Sequence, residues 1–126
     1  MRAVDTNILV RLIARDDAKQ TALAESYVSK GAWVSHLVLA ETIWVLERVY
    51  ELRTAAITQV IEMLLHHKTL TFQDSETIAS ALEYFRSRPS VGFSDCLILE
   101  TARKAGHTPL GTFDRNLSKL AGVERI

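Results

Sequence analysis

The sequence predicts an α/β fold, a small parallel sheet of four or five strands covered by helices on both faces, and three observations lead there. Short apolar runs at residues 2–4, 32–35, 69–72, 108–112 and 123–126 read as strands, and helical patterns separate them. The 126 residues suit one domain, residues 1–126, large enough to bury a core without staples. A hydrophobic content of 48% with 24% charged residues is ordinary for a soluble globular chain.

The first strand is very short and ends in Asp5-Thr6-Asn7, just where a helical apolar pattern begins. In an open α/β fold the carboxyl end of a strand is where ligands bind. Capping of the next helix by Asp5 or Asn7 explains the same residue types. Ile8-Leu9-Val10 with Leu12-Ile13 make a short helix, and Arg15-Asp16-Asp17 a turn that opens a second helix over residues 17–29, with Ala22, Leu23 and Tyr27 on its apolar face. Gly31 stops it, in the left-handed conformation that glycine adopts at little cost. After the second strand, residues 36–51 form a long apolar helix, and Thr54 to His66 another, with Ile57, Val60, Ile61, Leu64 and Leu65 at helical spacing.

Asp74 follows the third strand and opens a helix through Ile78, Ala81, Leu82 and Phe85, which Pro89 stops near Ser87. Ser90 to Phe93 reads as a loop and Ser94 to Lys104 as a helix ended by Gly106. A strand over residues 108–112, a short helix from Asp114 to Leu120 and a terminal strand complete the chain.

Charge and cysteine content narrow the classes. Fifteen basic and fifteen acidic residues give a formal net charge of zero, which neither announces a nucleic-acid binder nor excludes one, since the distribution decides. The single cysteine, Cys96, rules out an internal disulfide and fits a reducing compartment. No signal peptide or membrane span is recognisable, so the cytoplasm is the expected location.

Besides Asp5, three acids stand out. Glu41 shares its helix face with Leu37, Val38, Trp44, Val45 and Arg48, so it is expected on an apolar stripe, and a buried pair with Arg48 is the structural alternative. Asp95 precedes Ile98, Leu99 and Ala102 at i+3, i+4 and i+7, which aims it along an inward face unless Ser94 or Asp95 simply caps. Asp114 lies just past a strand, as does Asp74, which is kept as a cap because Ser75, Glu76 and Thr77 follow it. Clustered carboxylates call for protons or divalent cations. Aspartates and a glutamate with no convincing set among His36, His66, His67 and His107 suit Mg²⁺ or Mn²⁺ rather than zinc, and His66-His67 reads as a solvated helix end.

Val4-Asp5-Thr6-Asn7, Leu39-Ala40-Glu41, Phe93-Ser94-Asp95-Cys96-Leu97-Ile98 and Thr112-Phe113-Asp114-Arg115-Asn116-Leu117 resemble the four acidic motifs of the PIN domain. Their order and the chain length resemble the VapC toxins of bacterial and archaeal toxin–antitoxin pairs. The resemblance implies a PIN-like three-layer α/β/α sandwich and an Mg²⁺- or Mn²⁺-dependent endoribonuclease that hydrolyses RNA phosphodiesters with metal-activated water, using one or two ions. It implies a homodimer and a cognate VapB-like antitoxin, with no membrane involvement. Asp5, Asp95 and Asp114 would hold the principal ion, and Glu41 a second ion or the attacking water. Thr6, Asn7, Ser94 and Asn116 would support the carboxylates, Thr6 and Asn7 by fixing Asp5; some relatives have an acid where Asn116 stands. Arg11, Arg15, Arg86, Arg88, Arg115 and Lys119 are the candidate phosphate contacts. Trp44, Val45, Val49 and Tyr50 are either core or dimer surface.

Two other classes share some of these features. An aspartyl phosphatase or phosphotransferase would want an aspartate where Asn7 stands. A catalytically silent regulatory or scaffold domain would have little reason to keep Glu41.

Overall fold

A computed structural model describes all residues, 1–126. The chain divides into two compact units, Met1–Ser75 and Glu76–Ile126.

In the first unit the order is β1 (Arg2–Ala3), α1 (Thr6–Ala14), α2 (Ala18–Val28), β2 (Ala32–Val34), α3 (His36–Arg48), α4 (Thr54–Leu65) and β3 (Leu70–Phe72). The three strands pair in the order β1-β2-β3, all parallel, with Ala3 opposite Trp33 and Val34 opposite Phe72. Parallel neighbours need a crossover, and a pair of helices supplies each one. Asp17 starts α2 as a cap, its side chain accepting from the Gln20 amide. Gly31, at φ 98°, takes the left-handed turn into β2, as expected. Leu9, Leu39, Ile43, Leu46, Ile57, Ile61 and Leu64 are among the buried core side chains of this unit. Each contributes about 1.5–3 kcal/mol on burial.

Two helix faces differ from expectation. In α2 the buried residues are Thr21, Ala24 and Val28, while Leu23 and Tyr27 are exposed. In α3 the buried residues are Leu39, Thr42, Ile43 and Leu46, so the stripe with Leu37, Glu41 and Trp44 faces solvent. A helix as apolar as α3 offers two stripes, and the one holding Thr42 goes inside because its hydroxyl donates back to the Val38 carbonyl at 2.7 Å. The helix also ends at Arg48, three residues before the expected Glu51.

The second unit runs α5 (Ser75–Ser87, its first residue at the division), a 3₁₀ turn (Pro89–Val91), α6 (Phe93–Lys104), β4 (Leu110–Thr112), a 3₁₀ turn (Leu117–Lys119) and β5 (Val123–Arg125). Ile78, Ala81, Leu82 and Phe85 are buried as their spacing predicts, and Phe85 meets Phe93 edge to face at 6.1 Å. The loop expected at Ser90 is a 3₁₀ turn, and the helix expected from Asp114 is reduced to one such turn. β4 and β5 pair with each other in parallel, so the strands are hydrogen-bonded as a parallel set of three and a parallel set of two, where a single sheet of four or five is expected. No helix is long and apolar enough to cross a membrane.

Candidate active site

Asp5 occupies the N-cap position of α1, yet its side chain makes no capping bond. The carboxylate is exposed and uncommitted, so capping does not account for this residue. Thr6, next to it, is buried and donates its hydroxyl to Oε1 of Glu41, 35 residues further along. The expected support of Asp5 by Thr6 is therefore replaced by support of Glu41.

Glu41 is exposed, not buried in an apolar stripe, and it has no ion pair with Arg48. Arg48 instead lies over the ring of Trp44, with its guanidinium carbon 5.8 Å from the centroid. Asp5, Thr6, Asn7, Glu41 and Trp44 line one cleft of about 580 Å³. Asp5 and Asn7 also line a second cleft, on the α2 side.

In the second unit Asp95 sits in the first turn of α6, which is entered through Gly92 without a side-chain cap. Its residue types were also explained by capping, and no such bond exists. Burial, and then the charge of Asp114, push the Asp95 carboxyl above the ordinary carboxylate range. Ile98, expected inside, is 53% exposed, and Phe93, Cys96, Leu97, Leu99 and Glu100 form the buried face. Asp114 accepts the amides of Asn116 and Leu117 on Oδ1, at 2.7 and 3.0 Å, while its own amide donates to the Thr112 hydroxyl. Asn116 thus supports Asp114 through its backbone. Ser94 is half-buried beside Asp95 in the chain.

A model of the PIN domain matches residues 2–123. The chain belongs to the PIN domain family. No curated protein matches. Among solved structures, the chain is similar to Mycobacterium tuberculosis VapC20, a sarcin-ricin loop cleaving toxin, at 20% identity and a TM-score of 0.45, over 98% of each chain.

Within neither unit of this PIN domain do three or more His, Cys, Asp or Glu side chains gather closely enough to hold a metal ion. Asp5 and Glu41 belong to the first unit, and Asp95 and Asp114 to the second. Carboxylate oxygens are the donors a hard divalent cation prefers, and Asp95, raised by burial and then by the charge of Asp114, is a group whose ionised form a nearby cation would favour. Cys96 beside it is inert, its buried thiol pushed up to about 11 by burial and by the charges of Asp95 and Glu100. The four histidines form no ligand set, and His66 and His67 are exposed at the end of α4, as expected.

Several candidate phosphate contacts in the PIN domain are already engaged. Arg11 donates to Asp16 at 3.1 Å and to the Tyr50 hydroxyl at 3.2 Å, and Tyr50 in turn donates to Asp16 at 2.8 Å. Arg15 pairs with Glu25 at 2.8 Å and Arg86 with Glu83 at 3.5 Å. Arg88, Arg115 and Lys119 are exposed and have no ion pair.

Sequence reasoning passed over one acid. Glu100 is buried at 6% exposure and accepts from Arg103 at 2.7 Å; Arg103 also donates to the Ala121 carbonyl. The i, i+3 spacing of Glu100 and Arg103 was the signal available.

Proposed function

We propose that this PIN domain is a metal-dependent endoribonuclease, the toxin of a toxin–antitoxin pair, acting in the cytoplasm on RNA phosphodiesters. The observation that carries the reading is the uncommitted carboxylate of Asp5 at a strand's carboxyl end, next to a threonine spent on orienting Glu41. Family membership over residues 2–123 supports it. Asp5, Asp95 and Asp114 would hold Mg²⁺, or Mn²⁺ in its place. When bound, such an ion supplies positive charge against the phosphate and makes a nearby water more acidic. Glu41, held by Thr6, orients that water. The Asn116 and Leu117 amides fix the Asp114 carboxylate, and the exposed Arg88, Arg115 and Lys119 hold the RNA backbone.

Homodimer formation and inhibition by an antitoxin follow from the same family pattern. Leu37, Trp44 and Val49, which are 76%, 53% and 66% exposed, are apolar surface available for either contact. Tyr50 is tied down by Arg11 and Asp16 instead.

A silent scaffold is the second reading, and the absence of three gathered ligands within either unit favours it. Purified protein incubated with RNA and Mn²⁺, with and without chelator, separates the two. Cleavage that stops on chelation and is lost in Asp5→Asn supports the nuclease. RNA left intact at saturating Mn²⁺ leaves the scaffold.

A further inference from the structure

The second cleft beside Asp5 is not used by the chemistry described above. It measures about 580 Å³, lies between α1 and α2, and is lined by Asp5, Asn7, Arg11, Gln20, Leu23 and Tyr27 among others. Its contents are unlike a surface groove left over from packing. Tyr27 keeps 38% of its surface exposed, its hydroxyl is turned to the Ala3 carbonyl, and the Arg2 guanidinium carbon stands 4.5 Å from its ring centroid. Leu23, exposed on the same helix, adds an apolar wall. An aromatic ring with an arginine against it is a platform for a flat heterocycle.

The polar side of the cleft is already oriented. Oε1 of Gln20 accepts from Nε of Arg11, and Arg11 is fixed in turn by Asp16 and Tyr50. With its carbonyl oxygen so occupied, the Gln20 amide offers its NH₂ group, a pure donor. A donor at this place favours a carbonyl oxygen over an exocyclic amine. Guanine and uracil carry such a carbonyl, at O6 and O4, where adenine and cytosine carry amino groups at N6 and N4.

We infer that the cleft between α1 and α2 is a base-specificity subsite, in which Tyr27 and Leu23 receive an unstacked base of the RNA next to the cut and Gln20 selects a keto base. The inference rests on the nuclease reading, since Asp5 lines this cleft and the reaction site alike. Single-stranded RNA is read in this way, by stacking together with hydrogen bonds to base edges. Gln20 is a specificity-determining residue in this arrangement, and the Arg11, Asp16 and Tyr50 cluster is its support.

Gln20→Glu is the discriminating change, because a carboxylate still accepts from Arg11 while the donor becomes an acceptor. The wild-type protein and this variant are each incubated with a randomised RNA pool and Mn²⁺, and the cut sites are sequenced and normalised within each protein. The wild type is expected to enrich guanine or uracil at one position beside the cut. Gln20→Glu should shift that position toward adenine or cytosine by roughly tenfold. Tyr27→Ala, checked for folding by circular dichroism, should raise KM roughly tenfold through lost stacking. A wild type that cleaves with a preference for adenine or cytosine there, or a Gln20→Glu profile identical to wild type, overturns the subsite and leaves the nuclease standing; the cleft then serves another purpose, such as seating a protein segment. A wild type that cuts no RNA removes the nuclease reading and the subsite together.

Discussion

The hydroxyl of Thr6 donates to the carboxylate of Glu41, joining the first turn of α1 to the outer face of α3. Thr6 is buried and Glu41 exposed, so the fixed partner holds the free one. Asp5 comes one residue earlier, and one bond therefore sets the position of Glu41 relative to the strand end that carries Asp5.

Thr6→Val keeps the shape of the buried residue and removes the donor. Stability should change by about 1 kcal/mol or less, as for one part-exposed hydrogen bond, while RNA cleavage falls by on the order of 10- to 100-fold because Glu41 is no longer held. Glu41→Gln strands no guanidinium, since Arg48 rests on Trp44. Its melting temperature should stay near the parental value, with cleavage lowered by about 10² or more. Thermal melts and single-turnover rates measured on the same preparations check both. A Glu41→Gln protein several kcal/mol less stable would return Glu41 to a structural role.

Asp95 supplies a pH dependence of definite sign. Its carboxyl is held above the ordinary range by burial first and then by Asp114, so the folded state keeps that proton to higher pH than the unfolded chain does. Between the ordinary aspartate pKa and the raised one, the folded state binds more protons, and stability from this group falls as pH rises. Below that window the group contributes no penalty. Asp95→Asn should accordingly raise the metal-free melting temperature at neutral pH, with a gain that shrinks toward zero as pH drops below the ordinary aspartate range. Melts across a pH series without metal test this, and a variant less stable at neutral pH contradicts it.

Much of this arrangement was legible in the sequence, and the part that was not has a common cause. Ile78, Ala81, Leu82 and Phe85 in α5 and Ile57, Ile61 and Leu64 in α4 are inside as their spacing requires, because each helix has one apolar face. α3 has apolar residues on more than one face and α6 has Leu97, Ile98 and Leu99 in a row, so periodicity does not say which stripe is covered, and Glu41 and Ile98 face outward against expectation. α2 misled for the opposite reason, since its inward residues Thr21 and Ala24 are small and its largest apolar side chains, Leu23 and Tyr27, line a cleft instead. Asp5 stands out in the sequence by its place after the first strand, but spacing alone does not show that its carboxylate does no capping. The partition of five strands into three and two depends on hydrogen bonds between segments far apart in sequence, which local pattern does not encode.

Arg103→Ala should expose the dependence of the second unit on the Glu100 pair. Glu100 is buried, and its partner guanidinium is 39% exposed, so the loss is smaller than for a fully enclosed pair. Destabilisation of about 2 kcal/mol is expected, discounted for solvent access to the arginine. Urea denaturation measures it, and a change within error of zero would mean that water replaces the arginine at Glu100.

Mn²⁺ titration calorimetry on the wild type, Asp5→Asn and Asp95→Asn tests most directly whether these aspartates bind the ion. The wild type should bind Mn²⁺, and each variant should bind at least about tenfold more weakly while keeping its fold, because each loses one anionic oxygen ligand of a hard cation. Equal Mn²⁺ affinity in all three proteins would contradict it.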